Sequence, residues 1–479
     1  MKIRRATWLL LAALAAGCAS QPGSVQQAPA GAVDVALGKT ALTVHDLRDL
    51  PGLPDAEQRR RLDVVLAAHP DDLGARFFRT QGDVRMRDFE SALTDSDALL
   101  ADSSLDRRVR LLVLEWRAEA LIQVRRLAEA ILVANQALEI DDSDAEALFA
   151  RGWARFLGDN AQADSALADL DRGLQRDPDE GVGWFRHGTV LRSQGKLEQA
   201  AEDFERAAQL MPDDAPNHLQ YGVMLLQMKQ PEQALVQFDA VARLTPHEPS
   251  AWTWRAQANA SLRRYDDSSA DAKRAIESGA AGEDLANARI FLASGLEQHQ
   301  DFAGAAREFQ LSLALDANPV AADGLARMQW YTGQFAQALD AYRQQATRPN
   351  PHPYAPIWLF LVRERANPVD DVAAKGELAA LAPSHQPHAW TDTLVDLMLG
   401  KSTLPQALAE ADAASTDKQR AGRRCEADYY AAELLLVHDR TLPASRLLEE
   451  AHAVCPATYI EANAIVAEQR LLAAKVPAP

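Results

Sequence analysis

The chain has 479 residues, with 50 lysines and arginines against 68 aspartates and glutamates, and a formal net charge of -18 at pH 7. This acidic composition does not supply the basic surface that neutralises phosphates, which argues against nucleic-acid binding. Hydrophobic residues make up 47% and charged residues 25%, as in folded proteins. Aromatic residues are only 6%, and helix formers such as alanine and leucine are abundant, so we expect an all-α fold.

The first 17 residues have the pattern of an export signal. Residues 1–18 read MKIRRATWLLLAALAAGC, in which basic residues precede a short apolar run that ends at Cys18. The run is shorter than the ~20 residues of a membrane-spanning helix, so we predict a signal peptide over 1–17. The segment Leu14 to Cys18 resembles the lipobox of bacterial lipoproteins, which implies cleavage before Cys18 and its acylation. A plain secretory signal with an incidental cysteine is the alternative.

The lipobox resemblance also implies a location. Several acyl chains together anchor a protein stably in a membrane. Ala19 follows the cysteine where an aspartate would favour inner-membrane retention, so the implied site is the periplasmic face of the outer membrane of a Gram-negative bacterium. Residues 18–45 are predicted to begin with the lipidated cysteine and continue as a flexible tether. Residues 46–72 are predicted to contain a capping helix at 55–68.

The body of the chain repeats every 34 residues. The unit 181–214 has the spacing of the tetratricopeptide repeat (TPR), and 215–248 and 249–282 continue it. Small residues at positions 8 and 20 allow the two helices of a repeat to pack closely, and proline near position 32 ends the second helix. In the repeat 181–214 the pattern consists of Trp184, Gly188, Leu191, Ala200, Phe204, Ala207 and Pro212.

Weaker copies of this pattern extend the predicted TPR array over residues 73–352. They predict about eight antiparallel helix pairs in a right-handed superhelical solenoid with a concave groove. The alternative, an ordinary helical bundle, would require the regular spacing of glycine, alanine, aromatic and proline to arise by chance. About two extra residues between Gly158 and Asp164 are expected to enlarge one turn.

The pattern changes after the array. Residues 353–424 contain a helical segment and a helical hairpin between proline-containing breaks, 425–458 form an isolated TPR unit, and 459–479 are predicted as a capping helix and tail. This order resembles the C-terminal half of the NlpI family of outer-membrane TPR lipoproteins, although the array here is much longer than that family's compact form. The resemblance implies a noncatalytic adaptor for a periplasmic protease, peptidoglycan hydrolases or envelope assembly factors.

Two cysteines remain after Cys18. Cys425 and Cys455 stand at positions 1 and 31 of one repeat, which bring the start of its first helix close to the end of its second. We predict that they form a disulfide in an oxidising compartment, with two reduced buried thiols as the alternative. No histidine pair at ligand spacing accompanies them, so no metal site is predicted.

Catalytic signatures are absent from the sequence. It contains no HExxH, P-loop or GxSxG motif, and no GxGxxG that opens a βαβ unit, so we predict neither an enzyme nor a cofactor. Tyr429 and Tyr430 are interpreted as core residues. An enzyme whose site is hidden after residue 351 remains the weakest of the functional hypotheses.

The leading hypothesis is a scaffold that binds peptides or proteins through positions 2, 5, 9, 12 and 13 of the repeats. Trp330 and Tyr331 are its preferred anchors because aromatic residues dominate interface energetics, although packing against the following module is the alternative. The predicted protein-binding residues are Phe185, Arg192, Ser193, Leu219, Leu226, Gln227, Thr253, Gln257, Asn287, Glu297, Gln298, Arg327, Trp330 and Tyr331.

Two further expectations concern partners. An acidic chain should attract basic partners, with association slowing as salt is added. The alternative function is a pilotin-like assembly lipoprotein of a secretion or type IV pilus machine, whose repeats would look the same. The sequence leaves the partner's identity and any homo-oligomer open.

Overall fold

The computed structural model describes residues 33–37, 40–44, 53–367, 371–382, 389–457 and 459–475. Within these ranges the fold is a helical solenoid of TPR-like helix pairs, which confirms the all-α prediction. None of the helices in the described ranges is long and apolar enough to cross a membrane. The predicted signal peptide and Cys18 lie outside the described residues.

A short β-hairpin precedes the helices. Strands β1 (Val33–Leu37) and β2 (Thr40–Val44) pair antiparallel, with Val33 opposite Val44 and Leu37 opposite Thr40. The hairpin falls inside the segment predicted as a flexible tether, and this pairing was not predicted. The valines at positions 33 and 35 are a strand-favouring residue type on either side of a polar Asp34.

Helix α1 (Asp55–Ala68) coincides with the helix predicted over 55–68. Its Leu62 and Leu66 are buried and share a small apolar cluster with Ala75 of the next helix. Two ion pairs add to this contact, because Arg85 lies 2.8 Å from Asp55 and Arg79 lies 2.8 Å from Asp63. Helix α1 therefore covers the apolar face of the first repeat.

Eight antiparallel helix pairs follow, and their starts agree with the predicted repeats to within about four residues. In the fourth and fifth repeats Ala200, Phe204, Ala234 and Phe238 are fully buried, as their positions in the pattern require. The pairs are α2 (Leu73–Met86) with α3 (Phe89–Ala101), α4 (Arg107–Gln123) with α5 (Leu127–Ile140), α6 (Ala145–Gly158) with α7 (Ala163–Arg176), α8 (Gly181–Ser193) with α9 (Leu197–Leu210), α10 (Ala215–Gln227) with α11 (Pro231–Leu244), α12 (Pro249–Ser261) with α13 (Tyr265–Glu277), α14 (Gly282–Gln298) with α15 (Phe302–Leu313), and α16 (Pro319–Tyr331) with α17 (Phe335–Thr347).

The turn inside most of these pairs contains one residue with a left-handed backbone. In the repeats 215–248 and 249–282 this residue is Lys229 (φ 59°) and Arg263 (φ 58°), whereas the repeat 181–214 has Gly195 (φ 74°). The next amide closes the turn, since the N–H of Gln230 donates to the carbonyl of Leu225 at 2.8 Å. This is the Schellman arrangement, for which glycine is the usual residue because a side chain is disfavoured at positive φ.

The turn between α6 and α7 differs from the others. It contains a 3-10 helix over Asn160–Gln162, at the place where the sequence has extra residues. The insertion therefore enlarges one turn, as predicted, and the helix pair on either side of it is retained.

The chain divides into two compact units, Met1–Leu244 and Thr245–Pro479. Helices α1 to α11 belong to the first unit and the remaining helices to the second. The boundary falls inside the predicted TPR array, between α11 and α12, and not at residue 353. The second unit therefore combines the last three repeats of the array with the helices that follow them.

The helices after the array share one apolar core with these last repeats. The core includes Phe309 and Tyr342 from the repeats together with Phe360, Tyr430 and Ile465 from the later helices. The later helices are α18 (Ala355–Ala366), α19 (Asp371–Leu381), α20 (Trp390–Met398), α21 (Leu404–Asp412), α22 (Asp417–Val437), α23 (Thr441–Val454) and α24 (Ile460–Lys475).

A covalent link joins helices α22 and α23. The structure places Cys425 in α22 and Cys455 directly after α23 in a disulfide, with their Cα atoms 4.8 Å apart. This Cα separation lies within the usual range for disulfides. It is the pair that the repeat positions predict.

A buried cluster of three ionisable side chains joins α18, α22 and α24. The guanidinium of Arg365 donates to Glu433 at 2.6 Å and to Glu468 at 3.0 Å. Both carboxylate side chains are 0% exposed. Burial, and then the neighbouring charge of Glu468, raise the pKa of Glu433. The cluster thus has two carboxyl groups for one cation.

Candidate functional site

The first unit contains a concave depression, here called the acidic groove. Its volume is about 320 Å³, and residues from α2, α4, α6 and α8 contribute to its walls. Apolar side chains, among them Leu112, Trp116 and Met211, form part of its lining. Its ionisable residues are the acids Glu115, Glu119, Glu146, Asp179, Glu180, Asp213 and Asp214 and the bases Arg87 and Arg186.

One ion pair spans the acidic groove. Arg186 of α8 donates to Glu119 of α4 at 2.7 Å, and Gln123 donates to the other carboxylate oxygen at 2.9 Å. Burial alone would raise the pKa of Glu119. The charge of Arg186 and these hydrogen bonds outweigh the effect of burial, so the pKa of Glu119 is lowered. The guanidinium of Arg186 also lies 5.9 Å from the ring centre of Trp153. Arg186 is therefore held in place, which leaves the acidic residues to dominate the groove's charge.

Two carboxylates of the acidic groove also cap helices. Asp214 accepts a hydrogen bond from the amide of Asn217 at 2.9 Å, and Glu180 accepts one from the amide of Val182 at 3.3 Å. Such caps fix the side chains relative to the helix ends. The negative charge of the groove is thus carried in part by rigidly placed groups.

The predicted binding residues of the first unit lie outside the acidic groove lining. Phe185 is half-buried with its ring centre 5.8 Å from that of Phe204, so it contributes to packing. Arg192 donates to Gln220 of the next repeat at 2.6 Å. Leu219 and Leu226 are half-buried, whereas Ser193 and Gln227 are exposed.

In the second unit the predicted residues have different environments. Thr253 was predicted to face a groove, which is wrong: it is 4% exposed and its hydroxyl donates to the carbonyl of Pro249. Arg327 and Glu297 bind each other through two hydrogen bonds of 2.7 Å. Gln257 and Gln298 are exposed. Asn287 is half-buried.

The prediction that Trp330 and Tyr331 lie on the concave face of the array is also wrong, and the alternative, packing against the module that follows, is what the structure shows. They are 3% and 4% exposed and belong to the apolar core of the second unit. The hydroxyl of Tyr331 donates to the carbonyl of Ile460 at 3.2 Å, which ties α16 to α24. The helices that follow the array pack against its last repeat and cover these two side chains. Trp330 and Tyr331 instead line a cavity of the second unit.

The acidic groove residues were missed although the sequence contained their signal. Applying the repeat frame to the unit that starts at 111 places Leu112, Glu115, Glu119 and Gln123 at positions 2, 5, 9 and 13, and all four line the groove. The predicted binding residues all belong to repeats that lie downstream of this one. These inward-facing residues were not predicted because their repeat agrees only weakly with the TPR consensus.

The described residues contain no group of three or more histidine, cysteine or acidic residues placed to hold a metal ion. The acidic groove lacks such a group, and its apolar and acidic lining offers contacts to another molecule's side chains.

Comparisons with known proteins agree with this repeat architecture. A family model for the tetratricopeptide repeat matches residues 191–258, which include α9 to α11. The chain is therefore a TPR-containing protein of helical solenoid fold. No curated protein sequence matches it.

Solved TPR structures are similar to parts of the chain. The Pseudomonas aeruginosa protein pilF is 22% identical over 44% of this chain and 94% of its own, with a TM-score of 0.39. The TPR protein YrrB, described as having an unusual peptide-binding site, is 23% identical over 35% of this chain and 86% of its own, with a TM-score of 0.31. A TPR protein from Cytophaga hutchinsonii is 18% identical over 52% of this chain and 99% of its own, with a TM-score of 0.40.

Proposed function

We propose that the protein is a noncatalytic scaffold whose acidic groove binds a basic, partly apolar segment of a protein partner. The observation that carries this proposal is the lining of the groove, in which seven acidic residues accompany two arginines and several apolar side chains. One of the arginines, Arg186, is already paired with Glu119. A segment that alternates basic and apolar side chains complements both components of this lining.

Charge reversal at the edge of the acidic groove tests the proposal. Asp213 lies in the groove lining and is exposed, so Asp213→Lys changes the local charge with little effect on packing. A fluorescent octapeptide of alternating lysine and leucine should bind the wild type, and Asp213→Lys should weaken binding at low salt by about fivefold or more. Fluorescence anisotropy measures both affinities.

Asp142→Lys is the matched control for this experiment. Asp142 is an exposed aspartate of the same unit that does not line the groove, so its reversal makes the same change in net charge. The control should bind the peptide nearly as well as the wild type. Equal losses in the two variants, or equal binding of a glutamate–leucine peptide, would show that the groove does not select basic segments.

We further propose that the scaffold is a lipoprotein on the periplasmic side of the outer membrane, with envelope proteins as partners. The support is the sequence of residues 1–18, whose end resembles a lipobox. A protease or peptidoglycan hydrolase that co-purifies with the wild type from detergent-solubilised envelopes, but not with Asp213→Lys, would support the adaptor function. Recovery of secretin subunits would instead support the pilotin-like alternative.

Acylation of Cys18 is expected in the native protein. Intact-mass spectrometry of protein extracted from membranes should show a chain that begins at Cys18 and carries acyl groups. Cys18→Ala should accumulate as an uncleaved precursor or as a species released from the membrane. An unmodified thiol at Cys18, or cleavage at another bond, would contradict the lipid anchor.

A further inference from the structure

The second unit contains a cavity of about 340 Å³, here called the aromatic cavity. Its walls include Trp330, Tyr342, Trp358 and Tyr430, contributed by α16, α17, α18 and α22. The volume lies near the lower end of the roughly 300–1,000 Å³ that ligand pockets occupy. Exposed residues such as Asn350 also line it, so the cavity has an opening to solvent.

The two arginines that line the aromatic cavity are each paired with a carboxylate. Arg327 forms two hydrogen bonds of 2.7 Å with Glu297. Arg348 forms two of 2.7 and 2.9 Å with Asp323. Paired, two-pronged contacts of this kind offset the guanidinium charge and fix its position. The arginines therefore do not make the cavity a site for anions.

Glu461, at the start of α24, is the remaining acidic residue of the lining. It is 6% exposed and accepts a hydrogen bond from the hydroxyl of Tyr430 at 2.9 Å. Among the described residues, no lysine, arginine or histidine forms an ion pair with it. Burial raises its pKa. A buried carboxylate without a cationic partner is costly, and a cation that enters the cavity would relieve this cost.

A second carboxylate adds negative potential close to Glu461. Glu426 accepts hydrogen bonds from Tyr354 at 2.8 Å and from the indole of Trp390. Burial, followed by the charge of Glu461, raises the pKa of Glu426 to about 7. The protein thus places two acidic groups near each other beside an aromatic wall.

The indole of Trp330 supplies an unused donor. Its Nε1 is buried and has no hydrogen-bond partner in the described structure. A buried N–H of this kind is normally satisfied, so an acceptor from a bound molecule or a water is expected there. A peptide residue with a basic side chain brings both a cation and a carbonyl acceptor.

We infer that the aromatic cavity binds the cationic head of a lysine or arginine side chain from a protein partner. The rings of Trp330, Tyr342, Trp358 and Tyr430 line the cavity, aromatic rings attract cations, and Glu461 provides the counter-charge. This inference extends the proposed scaffold function to the second unit. It does not depend on the acidic groove, which belongs to the first unit.

The test uses a pair of small probes that differ in the ammonium group. Nα-acetyl-lysine methylamide and Nα-acetyl-norleucine methylamide are titrated into the full-length protein and followed by NMR. The lysine probe should bind at least about tenfold more tightly than the norleucine probe. Its ε-methylene protons should shift upfield, because ring currents act on protons that lie over aromatic faces.

Two charge-matched variants complete the test. Glu461→Gln retains an oxygen that can accept from Tyr430 and should weaken the lysine probe about tenfold without changing the norleucine probe. Asp428→Asn removes a carboxylate from the same helix as Tyr430, outside the cavity lining, and should leave both probes unchanged. Equal affinity of the two probes, or equal effects of the two variants, would overturn the inference.

The measurement on the wild type keeps the inference testable if Glu461→Gln fails to fold. Absence of lysine binding, or binding without an upfield shift of the ε-methylene protons, would then exclude the aromatic cavity as a site for basic side chains. Asp213→Lys should leave lysine binding in the cavity unchanged. Failure of the acidic groove as a peptide site is therefore distinguishable from failure of the cavity.

Discussion

Replacing Arg365 by methionine should lower the free energy of unfolding by about 3–5 kcal/mol. The change removes the cation that binds both Glu433 and Glu468, whose side chains are 0% exposed. Two buried carboxyl groups would then lose the guanidinium that binds both of them. Methionine retains part of the contact that the Arg365 guanidinium makes with the ring of Phe335, 4.4 Å away. Urea denaturation followed by circular dichroism measures the loss.

A triple variant separates the charge effect from a packing effect. Arg365→Met combined with Glu433→Gln and Glu468→Gln has no ionisable group left in this cluster and should regain most of the lost stability. The pH dependence gives a second readout. Because burial raises the pKa of Glu433, its contribution to stability is greatest below the ordinary pKa of 4.5 and declines as pH rises toward the raised value. Glu433→Gln should reduce this decline, whereas an unchanged profile and an unrecovered triple variant would contradict the argument.

Removal of the disulfide should cost roughly 3–4 kcal/mol of unfolding free energy. Cys425 and Cys455 are separated by 30 positions in sequence, so their bond restricts a long loop of the unfolded chain. The double variant Cys425→Ala, Cys455→Ala should therefore have a lower Tm than the oxidised wild type. Differential scanning calorimetry measures this difference.

Two observations control the disulfide experiment. Alkylation of the protein as isolated from its native cells, without prior reduction, should leave Cys425 and Cys455 unmodified. A reducing agent should lower the Tm of the wild type and leave that of the double variant unchanged. Full alkylation of both cysteines before reduction would show that the native protein carries free thiols.

The repeats could be predicted from the sequence because each one is a local unit. A glycine, an alanine, an aromatic residue and a proline at set positions determine how two neighbouring helices pack. Phe204 and Phe238, which are 34 residues apart, are both fully buried as this rule requires. Helix α1 was predicted over 55–68 as a cover for the open face of the first repeat, and it forms there.

The environment of the candidate sites was harder to predict because it depends on distant contacts. Tyr331 has the position of an inward-facing residue, but its hydroxyl binds the carbonyl of Ile460, which lies 129 positions later. The frame of one repeat carries no information about such a contact. Glu119 was missed for the opposite reason: its frame position was readable, but its repeat matched the consensus weakly.

The left-handed turn residues affect how the sequence of this protein can evolve. Where the turn holds Lys229 or Arg263 instead of glycine, the repeat retains a local backbone strain of about 1 kcal/mol. In a solenoid each repeat contacts mainly its neighbours, so this strain is confined to one segment. Substitutions between glycine and other residues at these turns can therefore adjust the stability of individual repeats. Such substitutions do not alter the residues of the binding surfaces.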